Sequence, residues 1–139
     1  ATPCALPAQA ALTPHPGEAA RLLEGAGAAT ARDRYDAARE TARRHQAVVV
    51  LKGAGTVVAT PGGEAWVCAQ ANPGMASGGM GDVLTGIIAA LMAQRLEPAQ
   101  AARVGVAVHA EAARRAAARG ARGMLASELF ECLRAAVNP

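Results

Sequence analysis

The fold class follows chiefly from a five-residue apolar run, AVVVL, at positions 47–51. A short, continuous, β-branched run is typical of a strand covered on both faces in a parallel sheet. The segment from Thr30 to His45 is polar and alanine-rich, which predicts a surface helix with Thr30 as its N-cap and Asp33 in its first turn. A helix followed by a buried strand indicates an α/β fold.

The residues after this strand predict a β-hairpin. The segments TVVAT (56–60) and EAWVC (64–68) both have strand-like composition, and Pro61-Gly62-Gly63 lies between them. Two strands that are joined by so tight a turn must be antiparallel. The sheet is therefore expected to be mixed, with helices flanking it.

Helices are predicted on both sides of this strand region. A short helix is expected from Gly17 through Leu23, with Gly25 as its stop, after a lead-in at residues 1–12 that has no clear period. Beyond the hairpin, apolar residues at positions 83, 84, 87, 88, 91 and 92 form the stripe of a buried helix face. The next helix is expected to begin at Pro98 and to stop at Gly120, and the last covers roughly 125–137, with Ser127 as its cap or just inside it.

The basic residues do not indicate a nucleic-acid surface. The chain has 14 basic and 11 acidic residues, a net charge of +3, and only 2% aromatic residues. Its arginines are scattered along predicted helix faces without interleaved aromatics, which favours solvated helix faces. They are Arg32, Arg34, Arg39, Arg43, Arg44, Arg114, Arg115, Arg119 and Arg122.

The remaining composition predicts a soluble cytoplasmic protein that needs no structural metal. The cysteines Cys4, Cys68 and Cys132 are far apart and form no CxxC pair, so reduced thiols are expected and a zinc site is not. No apolar run approaches the ~18 residues of a membrane span. The first residues lack the charged region of a signal peptide.

One glycine-rich segment, GGMGD at 78–82, predicts a phosphate site. Gly78, Gly79 and Gly81 can adopt backbone angles that let successive N–H groups converge on an anion. A helix is expected to follow directly, and its N-terminus attracts negative charge. The segment is neither a Walker A motif nor a GxGxxG fingerprint.

Asp82 at the end of this segment has two interpretations. It can be an ordinary N-cap of the following helix, which is the more common role of a Gly-Asp pair in such a place. Alternatively, the glycine turn holds phosphate while Asp82 exchanges a proton with a substrate hydroxyl.

Two further polar clusters are candidates for binding. KGAGT (52–56) follows the buried strand, where ligands collect in α/β sheets, and Lys52 is the only lysine in the chain. A point charge on a flexible stem suits phosphate. TPHPGE (13–18) contains His15 and Glu18, which fit either a rigid turn or a ligand site. His109 is expected to be a core or half-buried histidine, and His45 to lie on the surface.

The three clusters together resemble the ADP-dependent NAD(P)H-hydrate dehydratase family. The resemblance is carried, in order, by LTPHPGE, VVLKGAGTVVA and NPGMASGGMGDVLTG. Members of this family have further strands and helices before the HPGE turn. The resemblance therefore equates residues 13–139 with the C-terminal half of a ribokinase-like layered α/β domain, and residues 1–12 match it poorly.

The resemblance implies a reaction and a set of roles. The reaction is dehydration of the S form of NADHX or NADPHX to NADH or NADPH, coupled to ADP (or ATP) hydrolysis with Mg²⁺. Asp82 would be the acid/base or positioning carboxylate, in an enzyme family whose members are commonly homo-oligomers. The implied substrate-binding residues are His15, Pro16, Gly17, Glu18 and Asp82, and the implied nucleotide-binding residues are Lys52, Gly53, Ala54, Gly55, Thr56, Gly78, Gly79 and Gly81.

Two other functions stay open at this point. A ribokinase-like small-molecule kinase would also use Asp82, as the base that deprotonates a hydroxyl attacking ATP. A non-catalytic, truncated nucleotide-binding remnant would keep the glycine loops without turnover.

Overall fold

The computed structural model describes residues 6–7, 9–23 and 33–138. The strands are β1 (Ala11–Leu12), β2 (Val48–Leu51), β3 (Thr56–Ala59) and β4 (Ala65–Cys68). The helices are α1 (Pro16–Leu22), α2 (Arg34–His45), α3 (Met80–Ala93), α4 (Pro98–Ala116) and α5 (Glu128–Val137). Short 3₁₀ turns cover Pro73–Ala76 and Ala117–Arg119.

The four strands form one mixed sheet in the order β1-β2-β3-β4. β1 is parallel to β2, with Ala11 opposite Val48. β2 pairs antiparallel with β3, and β3 with β4, so the hairpin after KGAGT is confirmed. The α/β class and the mixed sheet are confirmed, and residues 11–12 of the predicted lead-in form the edge strand.

Helices cover both faces of the sheet because alternate residues of β2 point in opposite directions. Val48 and Val50 pack with residues of α3 and α4, such as Leu84 and Val106. Val49 and Leu51 pack on the other face, against alanines of α1 and α2. All four residues of β2 are buried, as the continuous apolar run predicted.

A third cluster joins the last three helices. It contains Met80 of α3, Ala112 and Ala113 of α4, and Leu129 of α5. Small alanines let α4 approach its neighbours closely, and Gly105 on the same helix would place a Cβ only 2.7 Å from Ile88 Cγ1. The core is thus built by close approach of helices, with large rings nearly absent.

Several predicted boundaries shift in the structure. Thr30 and Gly25 lie outside the described residues, and the N-cap of α2 is Asp33, whose side chain accepts a hydrogen bond from the Asp36 amide at 2.9 Å. Ser127 is the N-cap residue of α5, but its side chain makes no capping bond. Glu128 instead accepts one from the Leu125 amide at 2.7 Å.

The solvated arginines are confirmed in part. Arg43 pairs with Glu40 and Arg114 with Glu111, both at 2.7 Å on exposed faces. Hydrogen bonds from Arg114 and Arg115 lower the pKa of Glu111 to about 2. The prediction was wrong for Arg34, which is half-buried and bonded to the loop after β2, whereas Arg32 lies outside the described residues.

The described ranges bear on the predictions of reduced cysteines and of a chain without a membrane span. Cys68 and Cys132 are free thiols, and Cys4 lies outside those ranges. Within them, every helix is too short or too polar to reach across a lipid bilayer.

Candidate functional site

The three polar clusters meet at the carboxyl ends of β1 and β2. The Lys52 amide donates to the Pro14 carbonyl at 2.9 Å, which extends the parallel pairing to both loops. Lys52 Nζ lies 3.8 Å from Glu18 Oε2. The Thr13 and Thr85 hydroxyls are 2.8 Å apart, and they connect the first loop with α3. Segments far apart in sequence therefore form one surface.

TPHPGE forms a capping box at the start of α1. His15 Nδ1 accepts from the amides of Gly17 and Glu18 at 3.0 and 3.2 Å, and Glu18 Oε2 accepts from the His15 amide at 2.7 Å. An acceptor Nδ1 places the proton of the neutral imidazole on Nε2. The backbone bond from His15, helped by Lys52, lowers the pKa of Glu18. The rigid turn is thus confirmed, and the ligand role stays a prediction.

The capping box predicts a pH-dependent contribution to stability. Since the folded-state pKa of Glu18 lies below its ordinary value of 4.5, its contribution is present above that value and is lost as the pH falls through the folded-state pKa. Glu18→Gln is expected to lower the urea midpoint at pH 7, and its difference from wild type should shrink as the pH falls below 4.5. Glu97→Gln is the control, because the Glu97 side chain makes no capping bond to α4. Glutamine can still accept the bond from the His15 amide, so equal midpoints at pH 7 would contradict a stabilising role of the Glu18 charge.

KGAGT forms a tight loop after β2. Gly53 and Gly55 have φ values of 145° and 70°, which side chains rarely adopt. The Thr56 hydroxyl closes the loop by donating to the Gly53 carbonyl at 3.1 Å. The loop is therefore built around its glycines, and Lys52 stands at its entrance.

GGMGD does not form the expected nest of three glycines, because α3 begins inside it at Met80. Gly79 is the N-cap with φ 86° and the only one of these three glycines with a positive φ. The amides of Asp82 and Val83 both donate to the Gly79 carbonyl, at 3.0 and 3.1 Å. This leaves the amides of Met80 and Gly81 without an acceptor inside the helix. Gly78 is exposed, and nothing in the structure explains a glycine there.

The helix-cap interpretation of Asp82 is wrong. Asp82 is the third residue of α3, the N-cap is Gly79, and no side-chain capping bond is present. The Asp82 side chain is exposed, and within the described ranges it has no hydrogen-bond or ion-pair partner. The carboxylate is therefore available for a ligand.

Gly81 is explained by its contact with Lys52. A Cβ at position 81 would lie 2.9 Å from Lys52 Nζ and 3.4 Å from its Cδ and Cε. The lysine side chain therefore lies against the bare backbone of the first turn of α3, where the amides of Met80 and Gly81 have no acceptor inside the helix.

A cavity of about 350 Å³ opens beside this turn. One end is polar, with Lys52, Gly53, Ala54 and Gly81 in its wall. The other end is mainly apolar, and its wall includes Met75, Met80, Leu84, Val106 and Ala110; Gln70 and Asn72 also line the cavity. Such a volume and lining are ordinary for small-molecule sites.

His109 is a wall residue of the cavity. It is only 5% exposed, which confirms the expected core histidine. Burial lowers its pKa, and the Met80 backbone opposes this shift to a smaller extent. Its Nε2 is buried and has no hydrogen-bond partner among the described residues. The ring thus adds a buried polar group to the cavity wall.

Several residues that support the site were not predicted. Thr85 donates to the Gly81 carbonyl at 2.9 Å and, having a single hydroxyl proton, must accept from Thr13. Asn72 holds the approach to α3 by bonding the Gly74 amide and the Ala113 carbonyl, both at 3.0 Å. The contacts of Thr85 with Thr13 and of Asn72 with Ala113 span 72 and 41 positions, so no local pattern signals them.

The site offers little for a metal ion by itself. Among the described residues, no three acidic, histidine or cysteine side chains lie close enough together to hold one. Asp82 and Glu18 are the carboxylates of the three clusters, and Glu18 is engaged in the capping box and with Lys52.

Comparison with known proteins gives the family. The family model described as NAD(P)H-hydrate dehydratase matches residues 5–135. The chain is 52% identical over 129 residues to the bifunctional NAD(P)H-hydrate repair enzyme Nnr of Coxiella burnetii, covering 92% of this chain and 26% of that protein. It is 53% identical over 129 residues to the Escherichia coli enzyme of the same name. The chain thus spans about a quarter of the length of these curated relatives.

A solved structure has the same fold. The ADP/ATP-dependent NAD(P)H-hydrate dehydratase from Bacillus subtilis, co-crystallised with ATP and Mg²⁺, superposes with a TM-score of 0.81 at 35% identity. The match covers 92% of this chain and 47% of that one. The ribokinase-like character is shared by an Enterococcus faecalis protein of that superfamily, with a TM-score of 0.74 at 28% identity. The expected fold family is confirmed.

Proposed function

The chain belongs to the NAD(P)H-hydrate dehydratase family, and we propose that it carries the nucleotide site and the catalytic carboxylate for dehydrating the S forms of NADHX and NADPHX. ADP, or ATP, drives the reaction. The proposal rests above all on the convergence of TPHPGE, KGAGT and GGMGD at one helix N-terminus, with Lys52 3.8 Å from Glu18 and in contact with Gly81.

The nucleotide occupies the cavity with its phosphates toward Lys52. The ammonium group, the free amides of α3 and the loop 53–56 all favour an anion at the polar end. Gly78 and Gly79, which directly precede α3, remain proposed phosphate contacts, although neither is in the wall of the cavity. The apolar end, which includes Met80 and Leu84, suits the flat face of an adenine ring.

The hydrated nicotinamide lies on the other side of Asp82, toward His15, Pro16, Gly17 and Glu18. An open depression adjoins this side, lined by residues 12–14 and by Glu18. The exposed Asp82 carboxylate lies on the same helix turn as Gly81, so it can reach a substrate hydroxyl beside the phosphates.

The chemistry explains why a nucleotide is needed. A ring hydroxyl is a poor leaving group, and transfer of the terminal phosphoryl group from ADP to its oxygen makes it a good one. The hydroxyl proton passes to Asp82 as that bond forms, and AMP leaves. The C–O bond then breaks with loss of a proton from the neighbouring ring carbon, which yields NADH and inorganic phosphate. Atoms balance as NADHX and ADP giving NADH, AMP and phosphate.

Magnesium fits this site as an ion brought by the nucleotide. Mg²⁺ keeps several waters and binds through one or two carboxylates and substrate phosphates, so it needs no dedicated protein cage. The described residues supply only Asp82 as an unengaged carboxylate of the three clusters, in keeping with that mode. The ion would supply neutralisation of phosphate charge.

Gly81→Ala is expected to weaken ADP binding by about tenfold or less, because the new Cβ displaces the Lys52 ammonium group. Thermal stability should not fall, since alanine is the better helix former and the displaced atom is the end of a flexible side chain. Gly86→Ala on the same helix is the control, because a Cβ there meets nothing within 4 Å. Calorimetric titration measures the ADP affinity of the two variants, and thermal melting measures their stability. Equal ADP affinity in the two variants would contradict the Lys52 contact.

The proposed reaction is tested by incubating the complete gene product with S-NADHX and ADP while NADH absorbance is followed. Recovery of NADH that requires nucleotide is the expected result. Phosphorylation of an unrelated vitamin precursor, with ATP preferred and no NADH recovered, would identify a small-molecule kinase instead. ADP binding without any turnover would identify a non-catalytic nucleotide-binding protein.

A further inference from the structure

Arg34, the first residue of α2, contacts the KGAGT loop from the side opposite the cavity wall. Its Nη1 donates to the Ala54 carbonyl, and its Nη2 donates to the carbonyls of Lys52 and Leu51 at 3.2 and 3.4 Å. One guanidinium group thus holds three successive parts of the chain that leads into the loop. The contact joins two segments about 20 positions apart in sequence.

The loop glycines leave room for this guanidinium group. A Cβ at Gly53 would lie 2.7 Å from Arg34 Nη2, and one at Gly55 would lie 4.0 Å from Nη1. Arg34 Nε is buried without a hydrogen-bond partner among the described residues. An unpartnered buried N–H costs stability. The carbonyl contacts therefore hold the side chain in a position where its Nε stays unpaired.

The contact with Arg34 orients the peptide groups of the loop. A peptide group whose carbonyl is held by a cation has its N–H turned away from that cation and made a better donor. The planar fork of arginine can hold several carbonyls at once, which a lysine ammonium cannot do at the same geometry. The Lys52 amide is already bonded to the Pro14 carbonyl, so the amides of Gly53 and Gly55 are the ones that this contact turns away from Arg34.

We infer that Arg34 is a positioning residue that presets the KGAGT loop for the nucleotide phosphates. The inference rests on the proposed nucleotide site and adds a residue that contacts no nucleotide itself. Arg34 acts only through the loop backbone, so its removal should affect ADP and leave the hydrated nicotinamide side unchanged.

The test compares Arg34→Met with Arg39→Met in the complete gene product. Arg39 lies on the same helix and also donates to a turn carbonyl, that of Gly63 at 3.0 Å, in the hairpin away from the cavity. Arg34→Met is expected to raise the Kd for ADP by about tenfold to a hundredfold, because a loop that is no longer held must be ordered when ADP binds. The KM for NADHX should stay within about twofold, and Arg39→Met should leave both constants unchanged.

Arg34→Lys separates positioning from charge and serves if Arg34→Met does not fold. The expected affinity for ADP lies below wild type, since lysine keeps the charge but not the fork. Full recovery of affinity by lysine, equal losses in the two methionine variants, or a parallel rise in the KM for NADHX would each overturn the inference. Titration with ADP alone measures the effect of Arg34 without the reaction. If the wild-type protein binds ADP but shows no turnover, the proposed function is contradicted, and the comparison of Kd values still tests the role of Arg34.

Discussion

Asp82→Asn is expected to reduce turnover by a factor of about 10² to 10⁴ while ADP affinity stays within about threefold of wild type. The amide has the size of the carboxylate and cannot take a proton from the substrate hydroxyl. Asp82 makes no capping bond and has no partner among the described residues, so the substitution removes no contact of the fold. Single-turnover kinetics and calorimetric titration measure the two quantities.

Asp36→Asn is the control for this variant, because Asp36 is also the third residue of its helix, α2. Loss of a carboxylate from a first helix turn costs stability through the helix dipole in either helix. Only the Asp82 variant should lose turnover. A matching loss of ADP affinity and turnover on Asp82→Asn would mean that the carboxylate merely shapes the helix terminus.

Lys52→Met is expected to weaken ADP binding by about a hundredfold, because it removes the cation that lies across the free amides of α3. Its methylene stem is largely kept by methionine, so packing against Gly81 changes little. Lys52→Arg should fail to restore affinity, since the branched guanidinium group needs more room beside Gly81 than an ammonium group does. ADP titration of both variants is the measurement.

Two results of this titration would contradict the proposed role of Lys52. If Lys52→Arg binds ADP as tightly as wild type, any positive charge suffices and the fitted contact with Gly81 is irrelevant. If Lys52→Met binds ADP normally, the phosphates do not lie between KGAGT and α3.

The sheet could be predicted because its determinants are local. The apolar run at 47–51 favours a buried strand, and the turn Pro61-Gly62-Gly63 favours a hairpin. The structure confirms both. Helix starts were less certain, because a glycine N-cap carries no side-chain signal. The sequence therefore does not indicate that Gly79 is the N-cap of α3, and it favours Asp82 for that role.

The supporting residues of the site could not be predicted from one sequence. Arg34 has the same local surroundings as the solvated arginines of α2, and only the folded chain brings it to the carbonyls of Lys52 and Ala54. The link from Thr13 to Thr85 likewise crosses 72 positions. The three clusters were recognisable by their order, whereas their contacts depend on tertiary structure.

The most direct measurement of the central claim, that nucleotide and hydrated substrate react at one site, is the amount of phosphate released for each NADH formed. With S-NADHX and ADP in a single turnover of the complete gene product, equal amounts of phosphate and NADH are expected. Neither product is expected when one of the two reactants is omitted. NADH formation without phosphate release, or ADP hydrolysis at the same rate without NADHX, would contradict the claim.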